Sequence, residues 1–181
     1  MPGSGKSTVG RHLARQLGLG FADSDSEIER RIGMPIRDYF AARGEEAFRD
    51  VEQDVIDELA GREGIVLATG GGAVLRPSNR DALHSRTHSF YLRSTPEELF
   101  RRLRHDTQRP LLQTADPLQR LRELFRERDP LYRRVAHFVV EPSRPSVSAL
   151  LGMVTTQLEL AGLVDAGRVP SPIDHQPPPA D

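Results

Sequence analysis

Cysteine is absent from the 181-residue sequence, which rules out disulfides and thiolate metal sites. Tryptophan is absent too, and with seven phenylalanines and three tyrosines the core has to be built mainly from aliphatic side chains. No apolar run approaches the ~20 residues that a membrane-spanning helix needs. No basic segment followed by an apolar stretch marks a secretory signal. Neither sign of charge dominates, since 25 basic against 26 acidic residues leave a formal net charge of −1. Nucleic acid and anionic membrane therefore have no bulk electrostatic attraction as partners. These absences leave the expectation of one soluble, cytoplasmic domain of ordinary size.

Lysine is nearly absent as well. Of the 25 basic residues 24 are arginine, and Lys6 is the only lysine. A general preference for arginine makes the one exception informative, because a compact ammonium on a thin stem fits a phosphate cradle where a planar fork does not. Lys6 stands in Gly3-Ser4-Gly5-Lys6-Ser7-Thr8, the second half of a phosphate-binding loop. In such a loop backbone N–H groups wrap the phosphates of a nucleotide such as ATP, and the helix N-terminus adds partial positive charge. Lys6 would reach the β and γ phosphates and Ser7 would ligate Mg²⁺. The same residues would also serve as a flexible leader. The full motif begins one glycine earlier, at a position before Met1, and is entered from a strand. The expectation is therefore a true start upstream of Met1, and a sheet with two inner edges unpaired in the chain as it stands.

Behind the loop, Val9, Leu13 and Leu17 fall on one helical face, and Gly18 and Gly20 stop the helix. Phe21 to Asp25 reads as a short strand running into a loop, followed by a helix from Ser26 to Ile32. Pro35 opens a short helix, and Glu45 to Leu59 forms a longer one. Ile65 to Thr69 is a continuous apolar run that ends in Gly70-Gly71-Gly72, as in a strand buried on both faces. Strands are also expected at Ser89–Arg93 and His137–Val140, a capping box at Thr95-Pro96-Glu97-Glu98, and a last helix over Ser146–Leu160. Alternating strands and helices predict an α/β fold with a parallel sheet covered on both faces. Arg104 to Asp116 reads as a mobile loop, and residues 164–181 as a disordered, proline-rich tail.

Asp23 and Asp25 stand two apart at the end of a predicted strand, facing the crevice at the C-terminal edge of the sheet. One carboxylate there can hold Mg²⁺ through water and another can take the proton of an attacking hydroxyl. An Asx turn that caps the following helix explains the pair equally well. Gly70-Gly71-Gly72 lets backbone approach a ligand closely. Among the arginines, Arg49, Arg109 and Arg128 are singled out, with Arg109 placed before Pro110 where a closing loop would carry it to the γ-phosphate. The six histidines show no metal spacing and read as surface or packing residues.

Together these pieces resemble the shikimate kinase family: Pro2 to Arg11, Asp23-Ser24-Asp25, Gly44 to Arg49, Thr69 to Gly72, Arg109 to Leu112 and Arg128 to Tyr132, in the family's order from Met1 to about Gly162. The resemblance implies a P-loop kinase fold like the nucleoside monophosphate kinases, with a five-stranded parallel sheet and helices on both faces. It implies a domain over residues 1–163, with a helical substrate-binding insert near 25–60 and a lid near 104–116. The activity implied is transfer of the γ-phosphate of ATP to the 3-hydroxyl of shikimate with Mg²⁺, in a monomer without nucleic-acid or membrane partners. By motif, Gly3, Ser4, Gly5, Lys6, Ser7, Thr8, Arg102 and Arg109 would bind ATP, with Arg102 stacking on adenine. Asp25, Arg49, Gly70, Gly71, Gly72 and Arg128 would bind shikimate. Lys6, Asp25 and Arg109 would be catalytic, and Ser7 and Asp23 would hold the metal. The competing readings are a gluconate or other small-metabolite kinase on the same fold, and a non-catalytic remnant.

Overall fold

The computed structural model describes residues 1, 3–103, 116–141 and 146–164. Helix α1 (Lys6–Leu17) starts directly behind Gly5 and buries Val9, Leu13 and Ala14. Gly18 ends it in the left-handed conformation, with its N–H turned back to the carbonyls of Ala14 and Arg15. Strand β1 (Gly20–Asp23) passes straight into α2 (Ser24–Ile32). The expected loop after the strand is thus replaced by a helix that begins two residues early. The cause is Asp23, whose side chain accepts the Asp25 N–H and caps the new helix.

Helix α3 (Ile36–Ala60) follows Pro35 and is broken at Gly44, where φ is 80° and ψ is 175°. That break divides it into the short and the long helix expected from the sequence. Strand β2 (Ile65–Ala68), helix α4 (Pro77–Arg86), strand β3 (Phe90–Leu92) and helix α5 (Pro96–Leu103) come next. The capping box closes in both directions: the Glu98 N–H donates to Thr95 Oγ1 at 3.3 Å, and the Thr95 N–H donates to Glu98 Oε2 at 3.0 Å. Helix α6 (Pro117–Val135), strand β4 (Phe138–Val140) and helix α7 (Val147–Leu160) complete the order, with Asp116 capping α6 and Ser146 capping α7. Helices α4 and α6 were not read from the sequence. The expected lid, residues 104–116, lies outside the described residues apart from Asp116, and so does Arg109. Of the expected tail only Val164 is described, and it packs partly buried against the core.

The strands form two parallel pairs, β1 with β2 and β3 with β4. The first runs from Gly20 opposite Ile65 to Asp23 opposite Ala68, the second from Phe90 opposite Phe138 to Leu92 opposite Val140. Among the described residues no strand pairs with the facing edges of β2 and β3, as expected. A cavity of about 550 Å³ lies between them, lined by residues such as Val9, Leu13, Val66, Tyr91 and Val154. For this reason Ile65, Val66 and Leu67 are only half-buried, whereas their sequence reads as a strand covered on both faces.

Helices cover the pairs on both sides. Met1, Tyr91, Leu99, Leu121, Leu124 and Tyr132 belong to one apolar cluster, and α1, β4 and α7 supply a second through Val9, Leu13, Val140, Leu150 and Val154. Helices α2 and α3 have their own core of Ile28, Phe48, Val55 and Leu59. Phe40 and Phe48, at 4.4 Å between ring centroids, join the two halves of α3 across the Gly44 break. Among the described histidines, His84 stacks on His137 at 4.5 Å. The Gly44 backbone lies in a region open essentially to glycine alone, so Gly44→Ala is expected to lower stability by ~1–3 kcal/mol. Urea unfolding measures this, and an unchanged midpoint would show that the break can relax.

Candidate active site

Met1, Gly3, Ser4 and Gly5 are folded against the protein and do not form a flexible leader, with Met1 and Ser4 each 1% exposed. The Met1 carbonyl accepts from Lys6 Nζ at 2.9 Å and from Ser4 Oγ at 3.1 Å. The Gly3 carbonyl accepts from Arg102 Nη1 at 3.2 Å, and Leu103 packs beside Gly3. This segment is therefore held from its own helix and from α5. It presents the N-terminal end of α1, whose outward N–H groups and partial positive charge suit an anion. Thr8 lies in the first turn of α1, with its side chain exposed.

Ser7 Oγ donates to Asp23 Oδ2 at 2.7 Å. The other oxygen of Asp23 accepts the Asp25 N–H at 3.1 Å. This carboxylate thus caps α2 and also faces the serine of the loop. Asp25 reaches the crevice from the first turn of α2, not from the strand end. Its carboxyl proton affinity is raised to about 6, first by crowding with protein atoms and then by the neighbouring Asp23, with Lys6 acting in the opposite direction. The residue is still reached by solvent, so the crowding is partial and the neighbouring charge is the firmer of the two causes.

The three glycines make this crowding possible. A Cβ on Gly70 would collide with the Asp25 carboxylate, whose Cγ would be 3.2 Å away, and one on Gly72 would lie 2.8 Å from Arg49 Cζ. The Gly70 N–H donates to Ser24 Oγ at 2.9 Å, and the Gly71 carbonyl accepts from Arg128 Nη1 at 3.0 Å and Tyr132 Oη at 2.6 Å. Tyr132 Oη in turn accepts from the Met1 amine at 3.0 Å. One phenol thus joins the loop before α1 to the glycines after β2.

Arg49 is 9% exposed and lies between two carboxylates. Its Nη1 donates to Glu52 Oε2 at 2.6 Å, and its Nη2 donates to Glu45 Oε1 at 3.0 Å. The guanidinium also lies 5.1 Å from the Phe48 ring centroid. Glu52 is 1% exposed; burial raises its proton affinity, and Arg49 and then Arg128 work against that rise. Arg128 Nε is buried and has no hydrogen-bond partner among the described residues.

The sequence-predicted residues Lys6, Ser7, Asp23, Asp25, Arg49, Gly70, Gly71, Gly72 and Arg128 come together in one crevice, with Arg102 on the outer side of the loop. Sequence reasoning missed Glu52, Ser24 and Tyr132. Glu52 was available from its place three residues after Arg49 on one helix, and Tyr132 from its place four residues after Arg128. NMR titration of the Asp25 carboxyl in the ligand-free chain is expected to show a midpoint near 6, shifted downward in Asp23→Asn. A midpoint near the ordinary ~3.9 of aspartate would mean that solvent screens the site.

A family profile described as "Shikimate kinase" matches residues 2–159. A shikimate kinase from Paracidovorax citrulli is 59% identical over 175 residues, spanning 95% of this chain and 93% of its own length. One from Ralstonia nicotianae is 55% identical over 170 residues, spanning 94% and 90%. The solved structure of the Acinetobacter baumannii shikimate kinase in complex with shikimate superposes with a TM-score of 0.80 at 45% identity, covering 89% of this chain and 88% of that one. The chain belongs to the shikimate kinase family.

Proposed function

We propose that this chain transfers the γ-phosphate of ATP to the 3-hydroxyl of shikimate, giving shikimate 3-phosphate and ADP. The observation that carries the reading is one crevice that combines a phosphate loop, a carboxylate of raised proton affinity and two arginines aligned on Gly70–Gly72. Shikimate offers one carboxylate for the arginines and a hydroxyl for Asp25. Arg128 Nε, buried without an acceptor among the described residues, is suited to the substrate carboxylate, as is Arg49 beside Gly72. In this reading residues 1–163 form the kinase domain, 25–60 the substrate-binding insert, 104–116 the lid and 164–181 a tail.

Catalysis would rest on position and charge. The 3-hydroxyl oxygen attacks the γ-phosphorus, its proton passes to Asp25, and the bond to the β-bridging oxygen breaks to release ADP. Ionised Asp25 is the competent form, so the rate is expected to rise with pH through about 6. Lys6 would neutralise charge on the β and γ phosphates, with Gly3, Ser4, Gly5 and Thr8 framing them. Arg109 would add a second cation from the lid, and Arg102 would stack on adenine. The Ser7 hydroxyl and the Asp23 carboxylate are hard oxygen donors 2.7 Å apart, a pair that fits Mg²⁺, which needs few protein ligands when phosphates supply the rest. Bound there, Mg²⁺ would offset charge on the phosphate oxygens.

In this reading the chain works as a monomer. Among the described residues no helix is long and apolar enough to cross a membrane. ATP as co-substrate and the absence of cysteine fit a reducing cytoplasm.

The test is ADP release measured with shikimate, gluconate and nucleoside monophosphates. Turnover with shikimate alone is expected; turnover only with gluconate, or none at all, would overturn the reading. Arg49→Ala is expected to raise the KM for shikimate by ~10–100-fold with little change in kcat, because it removes a charged hydrogen bond worth ~1.5–3 kcal/mol. Asp25→Asn is expected to lower kcat by ~10²–10⁴-fold. An unchanged kcat in that variant would exclude Asp25 as the base.

A further inference from the structure

Beyond its break at Gly44, helix α3 carries two adjacent stripes of polar side chains. Glu45, Arg49 and Glu52 form one, and Arg49 brings it against Gly72. Glu46, Asp50 and Gln53 form the other, each one position further along the chain. This second stripe holds an arginine that the reaction as proposed does not use. Arg76 Nη1 lies 2.7 Å from Asp50 Oδ1 and donates to Gln53 Oε1 at 3.3 Å, and Arg76 Nη2 donates to Glu46 Oε2 at 3.2 Å. Beside it, Ser78 Oγ donates to the same Gln53 oxygen at 2.7 Å.

The backbone between Gly72 and Arg76 is closely held. The Ala73 N–H donates to the Gly70 carbonyl at 3.2 Å, and the Leu75 N–H donates to the Gly72 carbonyl at 2.9 Å. Arg80 Nη1 donates to the carbonyls of Val74 and Leu75, each at 2.8 Å, and Ala73 and Val74 are buried in the core. A side chain fixed at Arg76 therefore also fixes Gly72, four residues earlier. Arg49 does not make this connection itself, because its hydrogen bonds among the described residues go to Glu45 and Glu52 of its own helix. Apolar packing of Ile56 with the cluster of Ala73 and Val74 brings α3 to the loop, but such packing is non-directional. Arg76 instead grips three side chains spread over about two turns of the helix.

We propose that Arg76 is a positioning residue for the substrate: it ties α3 to the Gly70–Gly72 loop and so sets the place of Arg49 against the Gly72 backbone. The inference rests on the shikimate reading of this crevice. An exposed arginine among carboxylates often contributes little, and Arg86 offers the internal comparison. It comes from the far end of α4, and its Nη1 donates to Asp57 Oδ1 at 2.9 Å, seven residues beyond Asp50 on α3. Asp50 and Asp57 are similarly exposed, at 71% and 65%, so the two bridges differ chiefly in their distance from the glycines.

Arg76→Ala is expected to raise the KM for shikimate ~5-fold or more with kcat within ~2-fold. Arg86→Ala is expected to leave both constants unchanged, although either variant lowers the melting temperature by a few degrees. Arg76→Lys keeps the charge and loses the planar fork, so its KM should fall between those of Arg76→Ala and the unsubstituted chain. In the ligand-free protein the Leu75 amide should exchange ~10-fold faster in Arg76→Ala than in Arg86→Ala. An unchanged KM in Arg76→Ala, or an equal rise in Arg86→Ala, would overturn the proposal. Should Arg76→Ala not fold, Asp50→Asn carries the same test from an exposed side chain, and an unchanged KM there would overturn it. If the unsubstituted chain does not turn over shikimate, the kinase reading fails instead. Leu75 exchange then judges the tie alone, and equal rates in the two variants would overturn it.

Discussion

The closeness of Gly70–Gly72 to three charged side chains is the constraint on which the site depends. No residue with a Cβ fits at Gly70 while Asp25 keeps its place, and none fits at Gly72 while Arg49 keeps its own. Backbone then does what side chains elsewhere do. The Gly70 N–H holds Ser24 at the start of α2, and the Gly71 carbonyl receives both Arg128 and Tyr132. The strand β2 delivers these groups to its carboxyl end, where a parallel sheet leaves room for a ligand. An added methyl would therefore act on α2 and α3, on α6 and on the loop before α1 together.

Much of this was legible because local chemistry and tertiary role coincide. Lys6 announced the phosphate loop, Gly18 stopped α1, and Thr95 with Glu98 opened α5. Where the two diverge, the reading failed. Asp25 was placed at a strand end because Phe21 to Asp25 looks extended, yet Asp23 caps a helix that already includes Asp25. Helix α4 buries only Asn79, Ala82 and Leu83 of its ten residues, too few to leave a period. Helix α6 contains Pro130, which reads as a stop and yet is accommodated inside the helix. The half-burial of Ile65–Leu67 follows from the expected open edge beside the cavity, not from the strand's own residues, which read as covered on both faces.

Electrostatics supply a second division of labour. Burial and then the neighbouring Asp23 raise the proton affinity of Asp25, while Lys6 limits that rise. The shift favours the protonated form in the folded state. Its contribution to stability is therefore full below the unfolded value near 4 and is lost as pH rises through about 6. The pH that readies Asp25 to accept a proton is thus the pH at which the fold bears its charge, a conflict expected where function and stability compete for one group.

Arg49 shows how a clamp can be held before its ligand arrives. Its two partners differ sharply in exposure: the Glu52 side chain is 1% exposed, whereas that of Glu45 is 60% exposed. The bond to Glu52 cannot be given up without leaving a charge buried and unpaired. The exposed bond to Glu45 is weak, because water screens it and the long side chain loses freedom in making it. A substrate carboxylate would therefore take the place of Glu45 and leave Glu52 as the fixed anchor. Glu52 also feels Arg128, so one buried carboxylate steadies both cations of the proposed clamp. That makes the missed residue the support of the two that the sequence revealed.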